Sequence, residues 1–209
     1  SYKITYMVDG EVHHADSVEY NKKITLPAAP TKEGYTFSEW NEIPDSMPAN
    51  DVMVVANFTI NRYKITYTVD GNIYHTDSAT YKSNIYAVDE PTRKGYTFGG
   101  WEGLPETMPA EDVTVAGTFT INSYKIIYIV DGEEHHVDSL LYAATINILP
   151  EPSKKGYTFG GWREVPETMP AENVTVTGTF TINKYKVTYM VDGEEYYTDS
   201  VTYATTITP

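Results

Sequence analysis

The chain has 209 residues, no cysteine and a formal net charge of −14 at pH 7. The absence of cysteine excludes disulfide bonds and thiolate-ligated metal sites, and the negative charge argues against nucleic acid or an anionic membrane as a partner. No run of apolar residues reaches membrane-spanning length, so direct membrane insertion of this segment is not expected. No signal peptide begins at Ser1, and any signal and anchor are expected outside this chain.

A segment of the form Gly-Tyr-Thr-Phe-x-x-Trp occurs three times, with its tryptophans at positions 40, 101 and 162, a constant step of 61 residues. A fixed period of this kind marks a tandem array of like units. The sequence predicts repeat modules at residues 1–61, 62–122 and 123–183, followed by a partial fourth repeat at residues 184–209. We refer to these below as repeats 1 to 4. We expect the structural signature of the repeats to be formed by Gly34, Tyr35, Phe37, Trp40, Gly95, Tyr96, Phe98, Trp101, Gly156, Tyr157, Phe159 and Trp162.

Each repeat opens with an alternating β-branched and aromatic run, Tyr2–Val8 in repeat 1, which is typical of a strand. Asp9-Gly10 follows and predicts a two-residue type I′ hairpin turn. The return strand is predicted at roughly Glu11–Tyr20. An uninterrupted register would place Lys3 opposite Asp16 as a cross-strand ion pair, and the other repeats carry the same two residue types at these places. Alternation assigns one face to the core, that of Tyr2, Ile4, Tyr6 and Val8.

The middle of the repeat is less regular. A short segment at Ile24–Leu26 leads into Pro27–Pro30, which indicates an edge or loop path because proline cannot donate to a strand ladder. Tyr35–Phe37 is predicted as the third strand, with Trp40 just after it as a cap on the core. Ile43–Ala49 holds two prolines that flank a single predicted helical turn.

The repeat closes with an alternating strand predicted at Val52–Ile60, and Met47, just before it, is expected to fill a gap in the core. Two-residue junctions then lead to the next repeat: Asn61-Arg62, Asn122-Ser123 and Asn183-Lys184. Flexible Gly/Ser-rich or Pro-rich linkers are missing from these junctions. We therefore expect a mainly β chain with little helix, arranged as an elongated rod on the order of 80–90 Å for three repeats.

The run Pro-Thr-basic-x-Gly-Tyr-Thr-Phe-x-x-Trp resembles the signature of the Listeria–Bacteroides repeat, the internalin B repeat type. The resemblance covers the first three repeats. It implies small β-grasp-like modules of about 61 residues, exported to a bacterial cell surface and used in tandem as stalk or adhesive segments. The family has no catalytic residues to carry over, so the resemblance implies a non-enzymatic protein. The short Asp-Gly turn and the Met-Pro-Ala-x-(Asp/Asn)-Val close depart from the family pattern.

No catalytic, metal or cofactor site is predicted. The five histidines fall at two adjacent positions of the repeat, where repeat 4 carries Tyr196 and Tyr197, and tyrosine in one repeat argues against a metal site common to all. Acidic clusters lack the Asp-x-Asp-x-Asp-Gly pattern of calcium loops. Most tyrosines alternate in strands, where core packing is the expected role, and an exposed minority would suit binding. The ligand-binding residues are unknown.

Three interpretations of the whole chain follow. The first is a semi-rigid spacer or adhesive stalk. The second is a binding module whose repeated exposed tyrosines recognise a host surface protein or a glycan by avidity. The third is a structural subunit that self-associates through edge strands, because Lys184–Pro209 forms an opening hairpin without closing strands. That hairpin is also explained by a fragment of a longer array or by a folded unit permuted relative to the repeat.

Overall fold

The computed structural model describes residues 1–207 of the chain. Fifteen strands are present and no helix occurs within this range. They are β1 (Tyr2–Val8), β2 (Glu11–Val18), β3 (Tyr35–Asn41), β4 (Val52–Ile60), β5 (Arg62–Val69), β6 (Asn72–Thr80), β7 (Tyr96–Glu102), β8 (Val113–Ile121), β9 (Ser123–Val130), β10 (Glu133–Leu141), β11 (Tyr157–Phe159), β12 (Val174–Gly178), β13 (Phe180–Ile182), β14 (Lys184–Val191) and β15 (Glu194–Thr202).

The chain divides into two compact units. The first holds Ser1–Glu90 and Gly99–Thr118, and the second holds Pro91–Phe98 and the residues from Phe119 onward. Sheets of order β2-β1-β4-β3 and β6-β5-β8-β7 form from the strands of repeats 1 and 2. The equivalent strands of repeat 3 form a sheet of order β10-β9-β12 and the pair β11-β13, while β14 pairs with β15.

In repeat 1 the central strands β1 and β4 run parallel, and the outer strands β2 and β3 are antiparallel to them. The parallel pair is anchored by Asp51, whose carboxylate accepts a 2.7 Å hydrogen bond from the backbone N–H of Lys3. Asp112 and Asn173 accept the same bond from Lys64 and Lys125 in the next two repeats. This arrangement confirms the mainly β, β-grasp-like module, and it explains the Asp or Asn that precedes each closing strand.

Each of the first three repeats contains its own cluster of buried side chains. In repeat 1 the alternating face of β1 supplies Ile4 and Tyr6, both fully buried, and Met47 fills the space beside them at 1% exposure. The clusters are Ile4, Tyr6, Ile24, Trp40, Met47 and Val54; Ile65, Tyr67, Met108 and Val115; and Ile126, Tyr128, Ile146, Met169, Val174 and Val176. The core face predicted for the opening strand is therefore the observed one.

The turn at Asp9-Gly10 has φ of 49° and 86°, as a type I′ turn requires. The register beyond it differs from the sequence-based prediction. Val8 pairs with Glu11 and Met7 with Val12, but Tyr6 then pairs with His14, which leaves His13 as a β-bulge. As a result Lys3 lies opposite Ser17, and the predicted Lys3–Asp16 pair is wrong. The Asp16 carboxylate instead accepts a 2.7 Å hydrogen bond from the Ser17 N–H.

Three further predictions are corrected by the structure. The third strand of repeat 1 does not end before Trp40, because a bulge beside Ser38 lets β3 continue to Asn41. Residues 43–49 contain no helical turn, since the two prolines cannot donate helical hydrogen bonds and Ser46 forms an isolated bridge with Lys23 instead. The return strand ends at Val18, and a turn follows in which the Lys22 N–H donates to the Glu19 carbonyl.

Candidate functional site at the joint between consecutive repeats

The first part of the joint is a tyrosine that packs on a glycine of the preceding repeat. Tyr81 follows β6 of repeat 2, and its ring is 8% exposed. It lies against Gly34 of repeat 1, where a Cβ would overlap the ring, and Gly34 itself has φ of +75°. Glycine is therefore required there both for space and for backbone conformation. The ring also meets Tyr35 edge-to-face at a centroid distance of 6.0 Å.

The same packing occurs at the next two joints. Tyr142 lies on Gly95 and Tyr203 lies on Gly156, each where a glycine Cβ would stand. The neighbouring signature tyrosines again make edge-to-face contacts, Tyr96 with Tyr142 at 6.1 Å and Tyr157 with Tyr203 at 6.3 Å. Consecutive repeats are thus joined by a tyrosine knob and a glycine socket.

The second part of the joint is the asparagine that lies between two repeats. The Asn61 N–H donates to the Gly34 carbonyl at 2.9 Å, and its carbonyl accepts from the Tyr81 N–H at 2.9 Å. Its side-chain Oδ1 accepts from the Thr36 hydroxyl at 2.7 Å, and Nδ2 donates to the Tyr63 hydroxyl at 3.2 Å. Asn61 therefore uses both its backbone and its side chain to tie the two repeats together.

Asn122 and Asn183 make the equivalent bonds. Their N–H groups donate to Gly95 and Gly156 at 2.9 and 2.8 Å, and their carbonyls accept from Tyr142 and Tyr203 at 2.8 Å each. Their Oδ1 atoms accept from Thr97 and Thr158 at 2.7 and 2.6 Å, and their Nδ2 atoms donate to Tyr124 and Tyr185 at 3.4 and 3.5 Å.

The junction is shorter than the two residues expected from the sequence. β4 ends at Ile60 and β5 begins at Arg62, so Asn61 alone lies between the strands, and Asn122 and Asn183 do the same in their joints. A single residue held by four hydrogen bonds leaves the backbone little freedom to rotate. The knob tyrosines and the roles of these asparagines are not among the features predicted from the sequence. The period was the available signal, since both residue types recur every 61 positions.

The signature residues divide between joint and core. Gly34 and Tyr35 belong to the joint, whereas Trp40 is 7% exposed in the core of repeat 1. Trp40 makes edge-to-face contacts with Tyr6 at 5.0 Å and with Phe37 at 5.4 Å. Trp162 keeps the same partners in repeat 3, Tyr128 and Phe159, both at 5.0 Å. In repeat 2 Trp101 lies 5.1 Å from Tyr67, while Phe98 contacts Phe119 at 5.4 Å.

The basic residue of the signature run covers the aromatic side chains next to the joint. The Lys32 ammonium lies 4.5 Å from the centre of the Tyr35 ring and 5.4 Å from that of Phe58, and it pairs with Asp9 at 2.6 Å. Arg93 and Lys154 lie over the equivalent rings of their repeats. A cation above an aromatic face is favourable, which explains the basic residue in this run.

A second repeated feature lies at the bulge of each hairpin. An aromatic residue is the extra residue in all four hairpins: His13, Tyr74, His135 and Tyr196. We call these four residues the bulge patch. The ring of His13 lies 5.9 Å from Trp40, Tyr74 lies 5.7 Å from Trp101, and His135 lies 6.0 Å from Trp162. The bulge explains why two aromatic residues stand next to each other in the sequence here. It lets His13 approach Trp40 while its neighbour His14 approaches Tyr6.

The pKa values of two tyrosines are raised. Burial, with a smaller contribution from the negative charge of Asp16, raises the pKa of Tyr6 above its ordinary value. Burial and Asp77 raise the pKa of Tyr67 in the same way. Within residues 1–207, no three His, Asp or Glu side chains are grouped so as to hold a metal ion. The same part of the chain has no helix that is long and apolar enough to cross a membrane.

Similarity to known proteins covers most of the chain. It is 36% identical over 142 residues to Internalin H of Listeria monocytogenes serovar 1/2a, a match that covers 58% of this chain and 26% of the relative. It is 28% identical over 205 residues to a Gly-rich membrane protein of Evansella cellulosilytica, covering 84% of this chain and 24% of that protein. The chain therefore spans about a quarter of the length of these two relatives.

Two solved structures show weaker likeness. Streptococcal High Identity Repeats in Tandem (SHIRT) domains 3-4 from a cell surface protein match with a TM-score of 0.27 and 15% identity, over 58% of this chain and 99% of theirs. Mub-RV matches with a TM-score of 0.21 and 13% identity, over 87% of this chain and 98% of its own. These TM-scores are too low to establish a common fold.

The family model of the Listeria-Bacteroides repeat domain matches three times, at residues 2–60, 63–117 and 124–182. These matches take in each Gly-Tyr-Thr-Phe segment and most of the residues that form the joints. The chain belongs to the Listeria-Bacteroides repeat family.

Proposed function

We propose that this chain is a non-enzymatic repeat region of a bacterial cell-surface protein and acts as a semi-rigid spacer or adhesive stalk. The observation that carries the proposal is the joint. A single asparagine with four hydrogen bonds and a tyrosine seated on a glycine replace the flexible linker that independent binding domains usually have between them. The three matches to the Listeria-Bacteroides repeat domain and the similarity to Internalin H of Listeria monocytogenes support this proposal.

A spacer must hold a set distance, and the joint is suited to that task. The buried ring of Tyr81 and the polar network of Asn61 both restrict the same connection, and they are linked by the bond from the Tyr81 N–H to the Asn61 carbonyl. The connecting residues lose their conformational entropy when the chain folds. The joint therefore needs no bound partner to hold the two repeats together. The acidic net charge of −14 keeps a β-rich chain soluble and discourages lateral association.

Small-angle X-ray scattering over a concentration series tests this function. The comparison variant carries Gly-Ser-Gly-Ser inserted after Asn61 and after Asn122. We expect the radius of gyration of the native chain to be independent of concentration, and the insertion variant to show the scattering of a more flexible chain. Identical flexibility in the two chains would overturn the spacer function. Growth of the particle with concentration would instead favour polymerisation through the Lys184–Pro209 hairpin.

A second candidate function is binding of a host protein or a glycan by the bulge patch. The favouring observation is that each of the four hairpins carries one aromatic residue of the patch at its bulge, and that Tyr74 is 46% and Tyr196 78% exposed. Aromatic faces of this kind stack on sugars and on protein side chains. A glycan array and a binding screen would test it. Tyr74→Ala with Tyr196→Ala should weaken a positive signal, because half of the patch is removed, while Tyr86→Ala, at an 80% exposed position outside the patch, should not.

A further inference from the structure

Tyr20 of repeat 1 has the position of a joint tyrosine but is not seated in a socket. It follows β2 as Tyr81 follows β6, yet it is 64% exposed, whereas Tyr81 is 8% exposed. A tyrosine ring exposed to this extent at the end of a strand has a surface available to another molecule or segment. Three counterparts in the same chain show which surface covers a ring at this position.

The turn that presents Tyr20 already has the geometry found in the formed joints. Asn21 has φ of 61° and Lys82 has φ of 62°. The Lys22 N–H donates to Glu19 at 3.1 Å, as Ser83 donates to Thr80 at 3.0 Å in repeat 2.

The turn is also tied to the core of its own repeat. The Asn21 N–H donates to the Met47 carbonyl at 2.8 Å, and the Lys82 N–H donates to that of Met108 at 2.8 Å. The position of Tyr20 is therefore set within repeat 1 and does not depend on a partner. A docking element that is ordered in advance loses little conformational entropy on binding.

The three glycine sockets of the chain are all filled. Gly34, Gly95 and Gly156 are covered by Tyr81, Tyr142 and Tyr203 respectively. A second copy of this chain would have to give up one of these contacts in order to accept Tyr20. The partner that fits is a repeat of the same type whose own glycine socket is open.

We propose that Tyr20 is the docking element for a further Gly-Tyr-Thr-Phe repeat, whose signature glycine receives the ring and whose junction asparagine accepts the Tyr20 N–H. Tyr2 stands in β1 where Tyr63 stands in β5, and it supplies the hydroxyl that the amide of this asparagine contacts. The interaction surface of repeat 1 is thus the knob half of a joint. This inference extends the spacer function, and it can fail while that function stands.

The test fuses one additional copy of residues 62–122 in front of Ser1. The new junction then reads Asn-Ser-Tyr, as the existing junction Asn122-Ser123-Tyr124 does. Tyr20→Ala is compared in the native and the extended chain by urea unfolding. We expect a shift of the unfolding midpoint in the extended chain comparable to that of Tyr81→Ala, and almost none in the native chain, where the ring is exposed. Equal small shifts in both chains would overturn the proposal.

A control and a second readout make the result specific. Gly→Ala in the socket of the added repeat should remove the extra effect of Tyr20→Ala, because the two residues then no longer meet. Amide hydrogen exchange at Tyr20 should slow in the extended chain, since its N–H gains a carbonyl partner. Unchanged exchange would contradict docking even if the fusion proved more stable for other reasons. The scattering comparison of the native chain with its insertion variant contains no added repeat, so it can succeed when this test fails.

Discussion

The ring of Tyr81 occupies the space where a Cβ of Gly34 would stand, although the two residues are separated by most of one repeat period. Gly34 has φ of +75°, a backbone conformation that side chains other than glycine rarely adopt. The contact converts a short sequence motif into a connection between two repeats.

Gly34→Ala should destabilise the chain by about 2–4 kcal/mol, because it combines an overpacked ring with a strained backbone. Gly10→Ala is the matched control. Gly10 has φ of +86° but nothing within 4 Å of an added Cβ, so only the backbone strain remains. Fluorine NMR of 5-fluorotryptophan-labelled protein during urea unfolding reports repeats 1 to 3 separately, since each of them holds one of the three tryptophans. Equal effects of the two substitutions would show that the Tyr81 contact contributes nothing.

Asn61→Ala should cost about 1–2 kcal/mol, because the Thr36 hydroxyl and the Tyr63 hydroxyl both lose a partner while the backbone bonds remain. Asn57→Ala, at an exposed position of β4, is the control and should stay within about 0.5 kcal/mol of the native chain. The measurement is the free energy of unfolding in urea. If both variants behave alike, the asparagine side chain is dispensable in the joint.

Ala143→Asn should stabilise the chain by about 0.5–1 kcal/mol. Ala143 has φ of +61°, a conformation that asparagine tolerates better than alanine, and repeat 1 carries Asn21 at this place with φ of 61°. Ala87→Asn, in an exposed loop, serves as the control. Thermal unfolding of both variants checks the prediction, and a loss of stability in Ala143→Asn would count against backbone strain at this turn.

Raising the pH above 10 should destabilise the chain through Tyr6 and Tyr67, whose pKa values are raised by burial. The folded state favours the protonated phenol, so this contribution is fully present below the ordinary tyrosine pKa of about 10 and is lost as the pH rises through the raised value. Urea unfolding between pH 8 and 11 measures the slope. The Tyr6→Phe, Tyr67→Phe variant should lose less stability over this range than the native chain.

Tyr196→Phe is the control for this pH series, because that ring is 78% exposed. It shows how far a Tyr→Phe change outside the core alters the measured slope. A slope of the double Phe variant as steep as that of the native chain would show that groups other than the two buried phenols govern alkaline unfolding.

Much of the module follows from local sequence. The alternation of Tyr2–Val8 predicts both the strand and its buried face, and Asp9-Gly10 predicts the I′ turn, because these properties depend on neighbouring residues alone. The register could not be read in the same way. The one extra residue at His13 reverses which face of the sheet each later residue of the strand occupies. A bulge inside a polar, exposed strand leaves almost no trace in the hydrophobic pattern.

The joint is beyond local reasoning for a different physical reason. Gly34 was recognisable as part of a signature, but its partner Tyr81 lies in another repeat and follows a strand of mostly exposed residues. Nothing in the composition around Tyr81 distinguishes a buried ring from an exposed one, and Tyr20 shows that the same local sequence position can be exposed. Whether the ring at this position is buried depends on whether a neighbouring repeat places its signature glycine against it.

If the joint fixes one repeat against the next, the distance between two points on neighbouring repeats should have a narrow distribution. The chain has no cysteine, so spin labels can be placed at Val12→Cys and Ile73→Cys, two exposed and equivalent hairpin positions of repeats 1 and 2. Double electron–electron resonance should give a narrow distribution for the native joint and a broad one when Gly-Ser-Gly-Ser follows Asn61. A native distribution as broad as that of the insertion variant would show that the joint does not fix repeat 1 against repeat 2.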